Sequence, residues 1–405
     1  MAQQDLVSLT GSTLIGLEST FGTTSGSMVR AFPRNGGTMA LAQTIVGVDT
    51  EQNKLVKRDK SVRGYKSGTA AFTCDAWIDS TRLTSAGSAS TTWLGTLLKA
   101  ALGGESAAAG STFAIGSSSS SLIAGSGHGT RFPVGQIVLA DVGDVPEVVI
   151  VKSVSTDTLT PLFNLSGSPT TGQDLINTHS YYLTDTNTQS LTIQHALAQD
   201  SSHQWTLNGC IVSGLSIDLA RDGRLSYAFQ FAGSDWTGPS SQSISTAAAT
   251  NALTGPITNV NAVCYLQSLS TTTRTHVPFH SLALNIALGN SHVQELGGTT
   301  QGVVGAMRNA PPTVNATLTV RSDLARYTDW DNDTDYVLVY AVPSGSGATK
   351  RYTGFVLYCN IEARPSRSTV DNREMTQLEL RGRHNTMQST AVTDLALSPF
   401  VLFEG

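Results

Sequence analysis

Charge is what this sequence has least of. Only 14% of its 405 residues are Asp, Glu, Lys or Arg, against about 25% in an average soluble protein. Ser, Thr, Gly and Ala fill the gap. A polar but uncharged surface suits a β-rich protein whose faces meet other protein surfaces, and suits a freely diffusing enzyme less well. The formal net charge is −5, which argues against a nucleic-acid reader with its basic patch. A surface past which DNA must slide without sticking is not excluded, because weak like-charge repulsion helps there.

Cysteine is scarce too. Cys74, Cys210, Cys264 and Cys359 lie far apart, so no CxxC-type zinc or redox spacing exists, and buried free thiols are expected. No stretch approaches the roughly 18 apolar residues of a helical membrane span. Met1–Thr13 lacks a basic region followed by an apolar run, so no signal peptide is expected. The chain should then stay in the cytoplasm that makes it until it assembles or is released.

Catalytic signatures are missing as well. There is no GxSxG elbow. Gly125-Ser126-Gly127-His128-Gly129 sits in a Ser/Gly tract without strand–turn–helix context and reads as a flexible loop. Gly345-Ser346-Gly347 near Lys350 belongs to a hairpin turn, not a phosphate-binding loop. In Asp329–Asp335 the alternating acids suit a calcium loop, but Thr334 and Tyr340 stand where Gly and Glu are required, so a solvated acidic loop is expected. The eight histidines are scattered. Neither a cofactor nor a catalytic constellation is expected.

Present throughout is period-two alternation, the mark of half-buried strands. Phe72, Cys74, Ala76 and Ile78 share one face; Thr73, Asp75 and Asp79 share the other. Leu225, Tyr227, Phe229 and Phe231 alternate with Ser226, Ala228 and Gln230, after an Asp222-Gly223 turn. One helix is expected over Thr92–Leu102, with Trp93, Leu94, Leu97, Leu98, Ala101 and Leu102 as its apolar stripe and Gly103 as its stop.

The order of elements repeats. Strand Thr69–Asp79, hairpin Leu191–Leu197 to Trp205–Leu219 and strand Arg224–Gly233 are matched by Thr313–Asp323, Tyr336–Val342 to Arg351–Ala363 and Glu374–Gly382. The expected fold is therefore mainly β, with two tandem β-sandwich or barrel units. The first covers 1–236 and the second 257–386. They are joined by a Ser/Ala/Thr-rich linker over 237–256 and followed by a C-terminal tail over 387–405. A block over 104–176, with short strands punctuated by Gly and Pro, reads as a small β-lobe inserted in the first unit.

One charge run stands out: Lys54, Lys57, Arg58, Lys60, Arg63 and Lys66, with Tyr65 as the lone aromatic. It reads either as a solvated hairpin tip or as a long loop docking on an acidic surface of a neighbouring copy.

Several segments resemble tail tube proteins of long-tailed bacteriophages. They are the opening Gly16-Leu17-Glu18-Ser19-Thr20-Phe21-Gly22-Thr23, the strand Gly68–Asp79 followed by Trp93–Gly104, and the hairpin Leu207–Trp236. The resemblance covers most of the chain by order of elements, through short motifs of common residues. It implies tail-tube-type β-sandwich units with a flanking helix, whose strands join between copies into one barrel around a DNA channel. Rings of six units would stack, with a long loop from each unit reaching the next ring. Val48–Gly68, with its basic run, and Gly289–Pro312 are the matching segments. With two units per chain, three chains with pseudo-sixfold symmetry are favoured over a six-chain ring. The outer lobe favours a non-contractile tail. Implied partners are further copies of the chain, a tape measure protein and the terminator and tip proteins, with DNA passing non-specifically and no membrane insertion. The implied location is the virion. A channel needs polar or acidic lining so that phosphates are not trapped; Asp75, Asp79 and Asp218 are the candidate lumen-facing acids. The alternatives are a capsid decoration or receptor-binding virion protein, or a carbohydrate-binding β-sandwich module, which would need an exposed aromatic platform.

Overall fold

The computed structural model describes residues 11–34, 37–49, 58–79, 93–143, 145–184, 189–197, 203–220, 223–240, 253–259, 261–294, 303–322, 325–345, 350–384 and 393–405. The described residues are mainly β, with three short α-helices among them.

Its backbone is one continuous antiparallel run of eight strands. In spatial order these are Thr38–Asp49, Arg58–Asp75, Ser226–Gly233, Gln204–Ala220, Phe279–Ala287, Thr313–Arg321, Arg373–Gly382 and Ser366–Val370. The first four come from the first half and the last four from the second. Within each half the pairing scheme is the same. A hairpin is followed by a helix, Trp93–Leu102 in one and Ala325–Asp331 in the other. A second hairpin then forms, and its closing strand returns beside the first. The alternation of Phe72 and Cys74, of Tyr227, Phe229 and Phe231, and of Val314, Ala316, Leu318 and Val320 turns these side chains to one face. There they form a single core spanning both halves.

The long strands change sheets midway. Gln204–Ala220 pairs first with Leu191–Leu197, in an outer sheet, and from Ile211 onward with Ser226–Gly233. A bulge between Val212 and Gly214 marks the change. In the second half Arg351–Ile361 pairs with Asp335–Ser344 and then, at its end, with Arg373–Gly382. At Glu362–Pro365 the strand breaks rather than bulges, and it resumes as Ser366–Val370. Proline has no N–H for the ladder, so Pro365 accounts for the break.

Helix Trp93–Leu102 is buried over almost its whole length. Each of Trp93, Leu94, Leu97, Leu98 and Leu102 contributes about 1.5–3 kcal/mol of apolar burial. That is how the stripe read from sequence holds the helix on the first half.

The block over 104–176 is a six-stranded sheet built mainly from Ile137–Val142, Val145–Ser155, Thr158–Pro161 and Asp174–Asn177. It has its own core, including Phe113, Phe132, Val138 and Leu159. It is inserted in the first half of the sequence but packs on the second. Ile137, Leu139, Ile150 and Phe163 sit against Val337, Val339, Tyr358, Val401 and Phe403 on the outer face of that half. Arg274, on the second half, and Glu147, on the lobe, form an ion pair at 2.9 Å across this contact. The Gly125–Gly129 segment is an anchored loop: Gly127 and Gly129 donate to Asp157 at 2.9 and 2.8 Å, and Ser111 lies 2.8 Å from His128 Nδ1.

Two expected connections are structural elements instead. The C-terminal tail contains strand Phe400–Glu404, which lies between Thr353–Leu357 and His179–Tyr182. Phe400, Val401, Leu402 and Phe403 are all buried, because both faces of the strand are covered. The linker begins and ends in strands. Asp235–Ser240 pairs with the Gln204–Asn208 stretch, and Leu253–Pro256 pairs with Trp77–Asp79. Its middle, 241–252, lies outside the described residues. Asp329–Asp335 is not a plain loop either. Its first residues end helix Ala325–Asp331, and Asp329, Asp333 and Asp335 are engaged by Arg326 and Arg383.

Candidate functional site

The eight-stranded sheet has one face on the core and one on solvent, and the solvent face is the candidate site. Lateral rows of side chains cross it from strand to strand. One row runs Asp75, Ser226, Asp218, Ala283, Thr317, Glu379. The next runs Thr73, Ala228, Ser216, Asn285, Asn315, Arg381, and another runs Thr38, Ala71, Gln230, Gly214, Ala287, Thr313. These are small or uncharged side chains almost throughout. Asp218 and Glu379 are exposed acids on this face. Arg381, the cation of these three rows, is paired with Glu362, and exposed Arg321 and Arg373 lie on the same face toward its second-half end. These three rows offer little purchase to a phosphate backbone, whose affinity comes from Lys and Arg.

The three acids singled out from the sequence are placed differently. Asp218 stands exposed on the face. Asp75 shares its row but is only 8% exposed, clamped by Arg224 at 3.0 Å and Arg34 at 3.5 Å. Its charge is spent inside the subunit, a partnership invisible in the local alternation because both arginines come from elsewhere in the chain. Asp79 is placed as backbone on Trp77–Asp79. Glu379, in the same row as Asp218, was missed. The strand Arg373–Gly382 carries it at an alternating position, which is the signal that would have found it.

Within Val48–Gly68 the described residues are strand, and residues 50–57 lie outside the described residues. Thr38–Asp49 and Arg58–Asp75 pair antiparallel, and Lys54 and Lys57 are not among the described residues. Arg58, Lys60 and Arg63 are placed as backbone on the returning strand. Lys66 is not a free docking charge: it donates to the carbonyl of Trp236 at 2.8 Å and sits 4.8 Å over the Trp236 ring. The second half repeats the pairing. Asn290–Gln294 pairs with Val303–Arg308 beyond the Phe279–Ala287 and Thr313–Arg321 strands. Of the large apolar side chains exposed among the described residues, Tyr65, Val304 and Met307 lie on these two arms.

The base of the second arm is fixed to the first half. Asn290 donates to the carbonyl of Val212 at 2.8 Å, His292 Nε2 lies 2.9 Å from the carbonyl of Gly209, and Arg308 bonds the carbonyl of Thr184. Gly209 is also where the N-terminal motif docks. Glu18 accepts hydrogen bonds from the backbone of Gly22 and Gly209 and from the hydroxyls of Ser190 and Thr192. Gly209 has φ +59°, and a Cβ there would lie 2.0 Å from Ser234 Oγ. The Asn208-Gly209 pair therefore serves a tight approach.

Two edges of the sheet are open. Among the described residues, neither the outer edge of Thr38–Asp49 nor that of Ser366–Val370 has a strand partner. Open edges invite pairing with another chain. No helix among the described residues is long and apolar enough to cross a membrane. No family model and no curated protein matches this sequence.

Proposed function

We propose that this chain is the building block of a bacteriophage tail tube. Copies join edge to edge into rings, rings stack, and the genome passes down the channel. Each chain supplies two units, so three chains complete a ring of six. The reading rests first on one observation: two repeats form an unbroken eight-stranded sheet with an open edge at each end, and the rows across the middle of its solvent face are mostly small and uncharged. Closing such edges in a ring removes the pairing liability and makes assembly finite. Turned toward the channel, the small and acidic middle rows of the face repel or ignore phosphate. The lobe then lies on the outside, once per two units. The paired arms, with their exposed Tyr65, Val304 and Met307, are the elements that reach the adjacent ring. A tape measure protein and terminator and tip proteins are the further partners of this reading.

The test is negative-stain electron microscopy of concentrated purified protein. Hollow tubes with a regular axial repeat and three outer lobes per ring are expected. Assembly into closed shells or flat lattices, or virions whose tails lack the chain, would overturn it.

A further inference from the structure

The seam between the two halves is a template for a seam between two chains. In it Gly214–Ala220 pairs antiparallel with Ser281–Ala287, with Ser216 opposite Asn285 and Asp218 opposite Ala283. Each side of this seam has a counterpart on an open edge, and the pairings fix which residue corresponds to which. Val212 faces Phe231 as Ile361 faces Leu380. Phe231 faces Ala70 as Leu380 faces Ala316. Ala70 faces Met39 as Ala316 faces Leu284. Along this ladder Ala40 corresponds to Asn285 and Thr38 to Ala283. On the other side Gln377 corresponds to Ala228, so its partner Ser366 corresponds to Ser216, and Ser368 corresponds to Asp218.

We infer that strand Ser366–Val370 of one chain adds antiparallel to the Thr38 end of strand Thr38–Asp49 of a second copy, with Ser366 opposite Ala40 and Ser368 opposite Thr38. The partner is the same chain, and the inference rests on the edge-to-edge reading above. The side chains brought together are small, and no like charges face each other. Ser366, Thr38 and Ala40 are exposed, as are Ser216, Asn285 and Ala283 of the inner seam, so the two seams present the same face to solvent. The outer seam is also guarded. Pro365 and Arg367 stand where the inner seam has Leu215 and Ile217, and Arg367 is exposed beside Glu374 at 3.5 Å. Proline and charge on a short edge strand discourage indiscriminate pairing, so the outer seam forms only in the matched register.

Cysteines placed across directly opposed positions of an antiparallel pair are within disulfide reach. The four native thiols are buried and do not compete. The experiment uses the full chain carrying S366C and A40C, concentrated until it assembles, oxidised mildly or treated with a short bismaleimide, and run without reductant. A ladder of covalent oligomers is expected, ending at the number of chains in the ring. The pair S368C and T38C should behave alike; each single variant, and the offset pair S366C and T38C, should stay at least ten-fold less cross-linked. Tubes whose chains do not cross-link in either matched pair, or cross-link best in the offset pair, overturn the junction and leave the tube reading standing. Cross-linked closed oligomers that never stack keep the junction and overturn the tube. A chain that stays monomeric and uncross-linked at high concentration, with wild-type secondary structure, overturns both.

Discussion

The backbone amide of Gly209 donates to Glu18 Oε1 at 2.8 Å, so a carboxylate near the start of the chain is held by a glycine nearly two hundred positions later. The same carboxylate takes hydrogen bonds from Gly22, Ser190 and Thr192. The carbonyl of Gly209, in turn, meets His292 on the second arm. One carboxylate thus ties the N-terminal motif, the outer sheet and the arm base together. Hydrogen bonds to charged groups contribute about 1.5–3 kcal/mol each, with strong non-additivity. Glu18→Ala should therefore destabilise the fold by about 3 kcal/mol, and Glu18→Gln by less, since one acceptor oxygen remains. Urea unfolding midpoints measure this; a loss below about 0.5 kcal/mol for Glu18→Ala would remove Glu18 from this role.

The inserted lobe should be indispensable to the isolated chain. It covers Val337, Val339, Tyr358, Val401 and Phe403, an apolar patch of the kind that drives association when bared. Ser106 and Ser180 are paired neighbours on adjacent strands, so a short Gly/Ser linker can replace the lobe without strain. The shortened chain is expected to bind a hydrophobic dye and elute as aggregate in gel filtration. A clean, soluble product would mean that the lobe is a detachable decoration.

Reversing charge on the solvent face should act on transport and not on folding. Asp218 and Glu379 are exposed on one row, where substitution costs little stability. Particles with Asp218→Lys and Glu379→Lys should keep normal tails and eject DNA more slowly, with the delay shrinking as salt is raised. Ejection at the wild-type rate would show that this face does not line the channel. Asp75 is the contrasting position: its replacement by lysine strands Arg224 and Arg34 and should damage folding itself.

The loop over Gly125–Gly129 should loosen in acid. Backbone hydrogen bonds from Gly127 and Gly129 hold the Asp157 carboxyl below its ordinary value. A depressed folded-state value means that the contribution is complete above the ordinary carboxylate range and is lost as pH falls through the folded value. Hydrogen exchange of the Gly127 and Gly129 amides, corrected for intrinsic rates, should accelerate below about pH 4. In Asp157→Ala it should be fast at every pH. Protection that persists in acid would show that the loop does not depend on the carboxylate.

The thiols should be silent. Burial pushes Cys264 up to about 12, and Cys74, Cys210 and Cys359 upward as well. The thiolate is the reactive form. Ellman titration at pH 8 is expected to find no rapid reaction in the native chain and all four thiols after denaturation. A native thiol that reacts within seconds would contradict the packing around it.

Much of the fold was legible because alternation is a local signal. Phe72 and Cys74, Tyr227 to Phe231, and Val314 to Val320 announced their strands and their core face, and the Trp93–Leu102 stripe announced its helix. The repeat was legible from the order of those elements. What failed depended on partners distant in sequence. Phe400–Phe403 is a short apolar run without alternation, and only its two neighbours, Thr353–Leu357 and His179–Tyr182, make it a strand. The ends of the linker are strands for the same reason. Asp75 looked like a solvent-facing acid until Arg34 and Arg224 closed on it. The basic run at 54–66 read as either a loop or a hairpin tip, and Lys66 shows why charge alone could not decide: its ammonium is held by Trp236. The resemblance pointed to Gly16–Thr23 but not to what Glu18 does there.

The inner seam carries a kinetic consequence. Gly214–Ala220 and Ser281–Ala287 belong to the same polypeptide, so they meet at an effective concentration set by their tether, whatever the amount of protein present. Dilution cannot part them. A ring of such chains has fewer than half as many second-order encounters to complete as one built from single units, and half as many places at which it can fall apart.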